Sequence, residues 1–383
     1  MTALLNSSVA TPLDPDAFRY IHSTGFPAIL ERLNASLMVS TYQLGKLAVF
    51  RARHEKLTML LRTFDKAMGL ATDGDRLAIG TKNSIWFLRN DPATAADLDP
   101  PGRHDACYLP RSCHVTGDIA VHEMAWGTDG QELRAEGQGI RDEANSPCPS
   151  ALGSQPTLWF VNTKFSCLCT LDENFSFVPR WQPSFVTRLA PEDCCHLNGL
   201  TLLDGKPKYV TVLAQTDTPS GWRAFKRDGG CLIDVPSGEV VTRGLSMPHS
   251  PRLYRGRVWL LDSGTGRLVT IDEHNGSVET VAELPGFTRG LAFEGDYAFV
   301  GLSQIRETST FGGLPIVERL SAEERKCGVW VVQLSTGAVV AFLEFERRVQ
   351  EVFDVQMLAG IRHPAVIGLQ KEDVNHRFVV PVT

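Results

Sequence analysis

The stretch His249-Ser-Pro-Arg-Leu-Tyr-Arg-Gly-Arg-Val-Trp-Leu-Leu-Asp-Ser-Gly-Thr-Gly-Arg-Leu-Val-Thr-Ile-Asp272 decides the fold of this chain. It reads as strand, Gly turn, strand, Gly-rich turn, strand. A fourth strand follows over Ser277–Ala282, after the turn His274-Asn275-Gly276. Short runs rich in Val, Leu, Trp and Thr, separated by turn residues, are the mark of consecutive antiparallel strands.

The plan recurs along the chain. One copy opens at Met68-Gly-Leu-Ala-Thr-Asp-Gly. Another opens at His122-Glu-Met-Ala-Trp-Gly and continues, after an insertion, with Leu158-Trp-Phe-Val-Asn-Thr. Further copies open at Asn198-Gly-Leu-Thr-Leu-Leu-Asp-Gly, at Arg289-Gly-Leu-Ala-Phe-Glu-Gly and at Asp354-Val-Gln-Met-Leu-Ala-Gly. Six four-stranded units of this size predict an all-β, six-bladed β-propeller. The N-terminal strands at Leu37, Leu47 and Leu57 lack an opening strand of their own. They complete the sixth blade begun near Asp354, so strands from both termini close the ring and hide the sheet edges. Residues 1–24 read as a tail and the start of a short helix over Asp16–Asn34, and 25–383 as one propeller domain. Gln131–Pro156 is a polar, Gly/Ser/Pro-rich insertion loop. A second insertion, Arg306–Lys326, falls between the second and third strands of its blade.

Composition narrows the partners. The 383 residues carry 38 Lys and Arg against 44 Asp and Glu, a formal charge of −6. That gives no basic footprint for nucleic acid and no Lys/Arg cluster for an anionic membrane surface. No apolar run reaches the roughly 20 residues that span a bilayer. The N-terminus lacks the positive start of a secretory signal. Nine cysteines, an odd number, then read as reduced, mostly buried thiols of a cytoplasmic protein.

Propeller geometry turns the repeat into a site. The first residues of the six inner strands ring one mouth of the axial channel: Met68, His122, Asn198, His249, Arg289 and Asp354. His196 precedes Asn198 by two residues and belongs to the same rim. The loops after each second strand surround that mouth and bring Asn162-Thr163, Asp217, Ser263, Ser303 and Arg306. Three histidines converging on one axis suggest a divalent transition metal (Zn, Fe or Cu), because neutral imidazole suits these ions. His122, His196 and His249 are the expected ligands. Asn198 and Asp354 supply oxygen ligands or orient a histidine. His114 is a possible fourth ligand, or a polar residue on the preceding strand. Arg289 either clamps a substrate anion or forms a buried pair with Asp354 or Glu123. Arg289, Asp354 and Glu123 are the catalytic candidates. Arg252, Asp217, Trp222, Ser303 and Arg306 are the substrate-binding candidates, with Trp222 as an apolar wall. Cys194-Cys195-His196 places a thiol near the centre, as a nucleophile or as packing. No GxSxG, GxxxxGK[ST], HExxH or strand-linked GxGxxG motif occurs.

The strings Cys195-His-Leu-Asn-Gly-Leu, Met247-Pro-His-Ser-Pro-Arg, Asp262-Ser-Gly-Thr-Gly, Arg289-Gly-Leu-Ala-Phe and Phe353-Asp-Val-Gln resemble a bacterial family of proteins with a domain of unknown function, sometimes found beside tetratricopeptide repeats. The resemblance runs from about Ser36 to Gly368 and implies a propeller, with no activity attached. The 131–156 stretch looks like an addition to that pattern. His196-Leu-Asn-Gly-Leu is also similar to the Asn-Gly strand start of gluconolactonase-like propellers. In that family the Asn helps to bind a divalent cation, which maps onto Asn198 alone; the family's acidic first ligand has no clear match.

The expected function is therefore a metal-dependent enzyme acting on a small, anionic metabolite in the channel, with hydrolase, lyase and oxidoreductase chemistry all open. A metal-free lyase or isomerase using His and Arg is one alternative. Another is a non-catalytic propeller that binds a peptide or protein partner on its top face, which predicts exposed apolar patches at the rim.

Overall fold

Each copy of the repeat forms its own antiparallel sheet, and there are six such sheets. The computed structural model describes residues 18–128, 156–305, 311–369 and 373–378. Blade I runs Leu70–Thr72, Arg76–Gly80, Ser84–Asn90 and Ala106–Val115. Blade II runs Val121–Gly127, Thr157–Asn162, Cys167–Asp172 and Phe175–Trp181. Blade III runs Leu197–Leu203, Lys206–Val212, Gly230–Asp234 and Val240–Leu245. Blade IV runs Pro248–Tyr254, Arg257–Asp262, Arg267–Ile271 and Val278–Glu283. Blade V runs Phe287–Glu294, Tyr297–Ser303, Gly328–Gln333 and Val339–Phe345. The Gly turns are tight hairpins: Arg255 and Gly256 both take positive φ, 50° and 69°, as a type I′ turn requires.

Blade VI confirms the expected closure. Its inner strand is Asp354–Ala359, and the N-terminal strands Ala35–Thr41, Lys46–Arg53 and Lys56–Thr63 follow outward, with Val39 opposite Val355. The ends do more than the repeat predicts. Tyr20–His22 adds a fifth strand to blade V, antiparallel to Val339–Phe345, and Pro364–Val366 adds a fifth to blade I, parallel to Ala106–Val115. The N-terminal helix is shorter than 16–34. It spans Gly25–Arg32, because Tyr20-Ile-His is taken up by the free edge of blade V. Phe26, Ile29 and Leu30 bury its inner face against blades V and VI. The second insertion carries the short helix Pro315–Arg319. The loop expected over 131–156 lies outside the described residues but for Pro156.

The core is divided among the blade interfaces. Each of six apolar clusters is filled by two neighbouring blades; Trp159, Val161 and Leu168 of blade II, for example, pack on Leu197, Val210 and Ile233 of blade III. Near the axis there is little room, and polar atoms of one inner strand bond the next. Leu70 N donates to Asp354 Oδ2 at 2.8 Å, Leu200 N to Glu123 Oε2 at 2.9 Å, Asn198 Nδ2 to Pro248 O at 3.0 Å, and Gly290 N to Ser250 Oγ at 3.2 Å. Blades I and II meet backbone to backbone: a Cβ on Gly69 would lie 2.0 Å from His122 O. Gly69→Ala must push the two inner strands apart, an overpacking of about 1–3 kcal/mol. We expect its urea midpoint to fall clearly below wild type in equilibrium unfolding; an unchanged midpoint contradicts this close approach.

Candidate functional site

The rim residues fall into two sets. His122, His196, His249, Met68 and Arg289 line a cavity of about 370 Å³ at the channel mouth, together with Trp222. Asn198, Asp354, Glu123 and Arg252 do not line it; the ring consumes them. Asn198 accepts a bond from Thr211 Oγ1 at 2.6 Å in addition to binding Pro248 O. Asp354 accepts the backbone N–H groups of Leu70 and Val355. Glu123 is ion-paired with Arg252, whose Nε donates to Leu291 O at 3.0 Å. These four therefore differ in place from the ligand, catalytic and substrate roles expected of them: each turns into an interface between blades. Burial raises the carboxyl groups of Glu123 and Asp354 above their ordinary range, and Arg252 opposes the shift in both.

The histidines share one design. His122 Nδ1 lies 3.0 Å from Ala120 O and 2.7 Å from Thr163 Oγ1, and that hydroxyl donates to Leu197 O at 2.6 Å. His249 Nδ1 lies 2.8 Å from Met247 O and 3.0 Å from Ser263 Oγ. His196 Nδ1 lies 3.0 Å from both oxygens of Asp193, which also accepts the Trp222 indole N–H at 3.0 Å. A carbonyl or carboxylate at Nδ1 requires the proton there, so that in a neutral ring Nε2 is the lone-pair nitrogen. The left-handed residues Ala120 and Met247, φ 52° and 47°, sit two places before His122 and His249. In blade III that left-handed residue is His196 itself, φ 49°. Asn198 thus occupies the place of His122 and His249 but is too short to leave its sheet, and His196 supplies the third ring. The rings of His122 and His196 stand 5.0 Å apart, edge to face.

Of the two sequence alternatives for Arg289, the buried pair takes a different partner. Arg289 pairs with Glu351 at 2.9 Å, not with Asp354 or Glu123, and its guanidinium lies 3.6 Å from the centre of the Phe353 ring. Phe287, Phe311, Phe353, Tyr42 and Met247 complete the apolar wall. Lys66, Lys82 and Arg223 stand with Arg289 around the cavity, against the carboxylates of Asp118 and Glu351. Asp118 also pairs with Lys164 at 3.1 Å and Glu351 with Arg289, and the lining carries more cations than carboxylates. A side chamber of about 170 Å³ shares Arg289, Phe287 and Phe311 and reaches Ser303, whose hydroxyl is held between Val352 O and Val352 N at 3.1 Å. Asp217 instead caps Thr187, and Arg306 lies outside the described residues. His114 sits on the outer strand of blade I, bonded to Ser176 O at 3.1 Å. Burial pushes the Cys195 thiol up to about 12, so it stays protonated and packs in the core.

Tyr42, Lys66, Lys82, Phe311, Glu351 and Phe353 escape the sequence reading. Tyr42 follows the second strand of blade VI, the loop position that supplies Thr163 and Ser263 elsewhere, and applying that rule to the split blade finds it. Lys82 lies in the equivalent loop of blade I, and the others enter from segments that the repeat does not mark.

Residues 24–136 and 150–367 match DUF4915, a domain of unknown function. This chain belongs to the DUF4915 family. The match breaks only within the 131–156 insertion. Among solved structures, the chain is similar to one in a nidogen/laminin complex, at 9% identity and TM-score 0.50, covering 85% of this chain and 99% of that one. It is also similar to a protein of unknown function from Bacteroides caccae, at 9% identity and TM-score 0.48, covering 84% and 98%. The first likeness shows the propeller fold and nothing of its use. No curated protein matches. Among the described residues no helix is long and apolar enough to cross a membrane.

Burial, followed by the nearby Arg289 charge, holds the His122 and His249 imidazoles well below their ordinary range. Their folded pKa lies below the unfolded value, so the unfolded chain binds more protons as pH falls through about 6.5, and both rings withdraw stability on acidification. We expect His249→Gln to be less stable than wild type at about pH 7.5 and to recover part of that deficit at about pH 5.5. Unfolding curves of the two proteins at both pH values check this; a deficit that widens in acid contradicts a neutral His249.

Proposed function

We propose that the channel mouth binds a small organic anion with an apolar body and that the protein acts on it by proton transfer at the imidazoles. One observation carries this: three histidines in one cavity each have Nδ1 fixed by a protein oxygen, which leaves the Nε2 atoms free to meet a ligand in a cation-rich chamber. Arg289 meets the anionic group, while Phe287, Phe353 and Trp222 enclose the remainder. A neutral imidazole at physiological pH is a competent general base, and the protonated product gains from the anion beside it. His122 and His196, with rings in contact, are the pair best placed to take and return a proton. Burial of Arg289 strengthens its attraction for an anion relative to a surface guanidinium. Peptide recognition on the top face draws less support, since the aromatic residues of the rim turn into the cavity.

The same Nε2 atoms favour a second reading, a Zn, Fe or Cu ion bound by His122, His196 and His249. The donor type suits these metals and the oxygen partners at Nδ1 are those of metal-ligating histidines. Among the described residues no three His, Cys, Asp or Glu side chains stand close enough to hold an ion, so this reading needs the rings to draw together. Asn198 has no part in it.

Calorimetric titration with phenylacetate, acetate and phenethylamine tests the first reading. Phenylacetate binds best, phenethylamine does not bind, and Arg289→Gln weakens phenylacetate by about tenfold or more. Equal binding of the amine, or indifference to Arg289→Gln, overturns it. Elemental analysis of wild type and His122→Ala separates the second: stoichiometric metal that disappears in the variant establishes a metal centre.

A further inference from the structure

A second cavity, of about 390 Å³, lies at the opposite end of the blades, on the outer side of the ring. It sits on the closure seam. Arg53 ends the third strand of blade VI, Arg103 and His104 lead into the outermost regular strand of blade I, and Arg362 and His363 precede the strand Pro364–Val366 that crosses from blade VI to blade I. His54, in the turn after Arg53, also lines it.

The charges here are unbalanced. Among the described residues none of the guanidinium groups of Arg53, Arg103 and Arg362 makes an ion pair. Two carboxylates face the cavity, and both already accept backbone bonds. Asp105 takes the N–H groups of Arg362 at 2.7 Å and His363 at 2.8 Å, and Glu31 takes that of Glu55 at 3.0 Å. Beneath them Arg51 is buried, with one bond from Nη1 to Pro364 O at 3.3 Å and no partner for Nε. His363 lines the cavity at 9% exposure, and its buried Nδ1 has no partner either. Buried polar atoms without partners are rare in folded proteins and mark a place where a further group belongs. Burial, then the neighbouring Arg103 and Arg62 charges, lower the Arg51 pKa, and Asp105 opposes them.

We propose that this seam pocket is a second ligand site, which holds the phosphate of a small phosphate ester or free phosphate. Planar guanidinium forks match phosphate oxygens two at a time. A dianion fits the excess of arginines over already engaged carboxylates, and the cavity has room beyond a phosphate for an organic remainder. Its occupant ties blade VI to blade I, so binding also stabilises the closed ring.

Titration of the full chain with inorganic phosphate and with ribose 5-phosphate, at fixed ionic strength, tests this by calorimetry and by thermal unfolding. At least one probe binds at millimolar concentration or below and raises the melting temperature. A tighter ester assigns the site to a phosphorylated metabolite, and equal or tighter inorganic phosphate assigns it to the free ion. Arg103→Ala and Arg362→Ala each weaken binding by about tenfold or more. Arg362→Lys, which keeps the charge and loses the fork, weakens it while preserving the fold. Arg289→Gln, at the channel mouth, leaves it unchanged, so failure here and failure of the proposed function are separate results. No binding of either probe to wild type, or binding unchanged in Arg362→Lys and Arg103→Ala, overturns the proposal.

Discussion

Crowding at the axis governs this molecule. Six inner strands converge on one channel, and there the chain has room for short polar contacts between strands but not for six full side chains per layer. Two solutions occur around the ring. Some neighbours are joined by a side chain that reaches across, as Asp354 does to Leu70 N and Glu123 to Leu200 N. Others are joined by direct backbone approach, as at Gly69 against His122 O and at Gly290 against the Asp354 backbone. Buried polar groups satisfied in this way fix the blades in register; leaving one without its partner costs about 1–3 kcal/mol.

The same constraint creates the site. Residues inside the ring are spent on joining blades, so only the outermost layer, at the mouth, is free to meet a ligand. There the strand starts carry histidines whose Nδ1 atoms are held by local oxygens from Ala120, Met247 and Asp193. Those bonds cost the rings nothing of their Nε2 reactivity and fix their direction. Arg289 is held between Glu351 and the Phe353 ring at the wall of the same chamber. Rigid imidazoles, a buried cation and aromatic walls together form a pocket with a polar and an apolar half.

Much of this was legible in the residues. The Gly-turn repeat located all six blades, and the lone N-terminal strands at Leu37, Leu47 and Leu57 located the closure, because strand periodicity and turn chemistry are local properties. His122, His249, Arg289 and Met68 reached the cavity for the same reason: their place in the repeat determines their place on the rim. Asn198 and Asp354 share that place in sequence and turn away, since side-chain length and the demand for inter-blade bonds decide direction, and neither is visible in a repeat. The fifth strands at Tyr20–His22 and Pro364–Val366 depend on free sheet edges that exist only once the ring has closed. The walls contributed by Lys66, Phe311 and Phe353 come from connecting segments, where no periodicity constrains the reading. The seam arginines are scattered from Arg51 to Arg362 and become neighbours through ring closure alone.

The histidine proton is the most direct test of this account. Nitrogen NMR of protein labelled in its imidazole rings, assigned with His122→Gln, His196→Gln and His249→Gln, reports which ring nitrogen is protonated at neutral pH. Neutral rings at His122 and His249 carrying the proton on Nδ1, the tautomer less common in free histidine, and an Nδ1 proton on His196 facing Asp193 are the predicted result. Nε2-protonated rings, or imidazolium at His122 and His249, would contradict it, because the lone pairs on which the proposed chemistry rests would then be absent from the cavity.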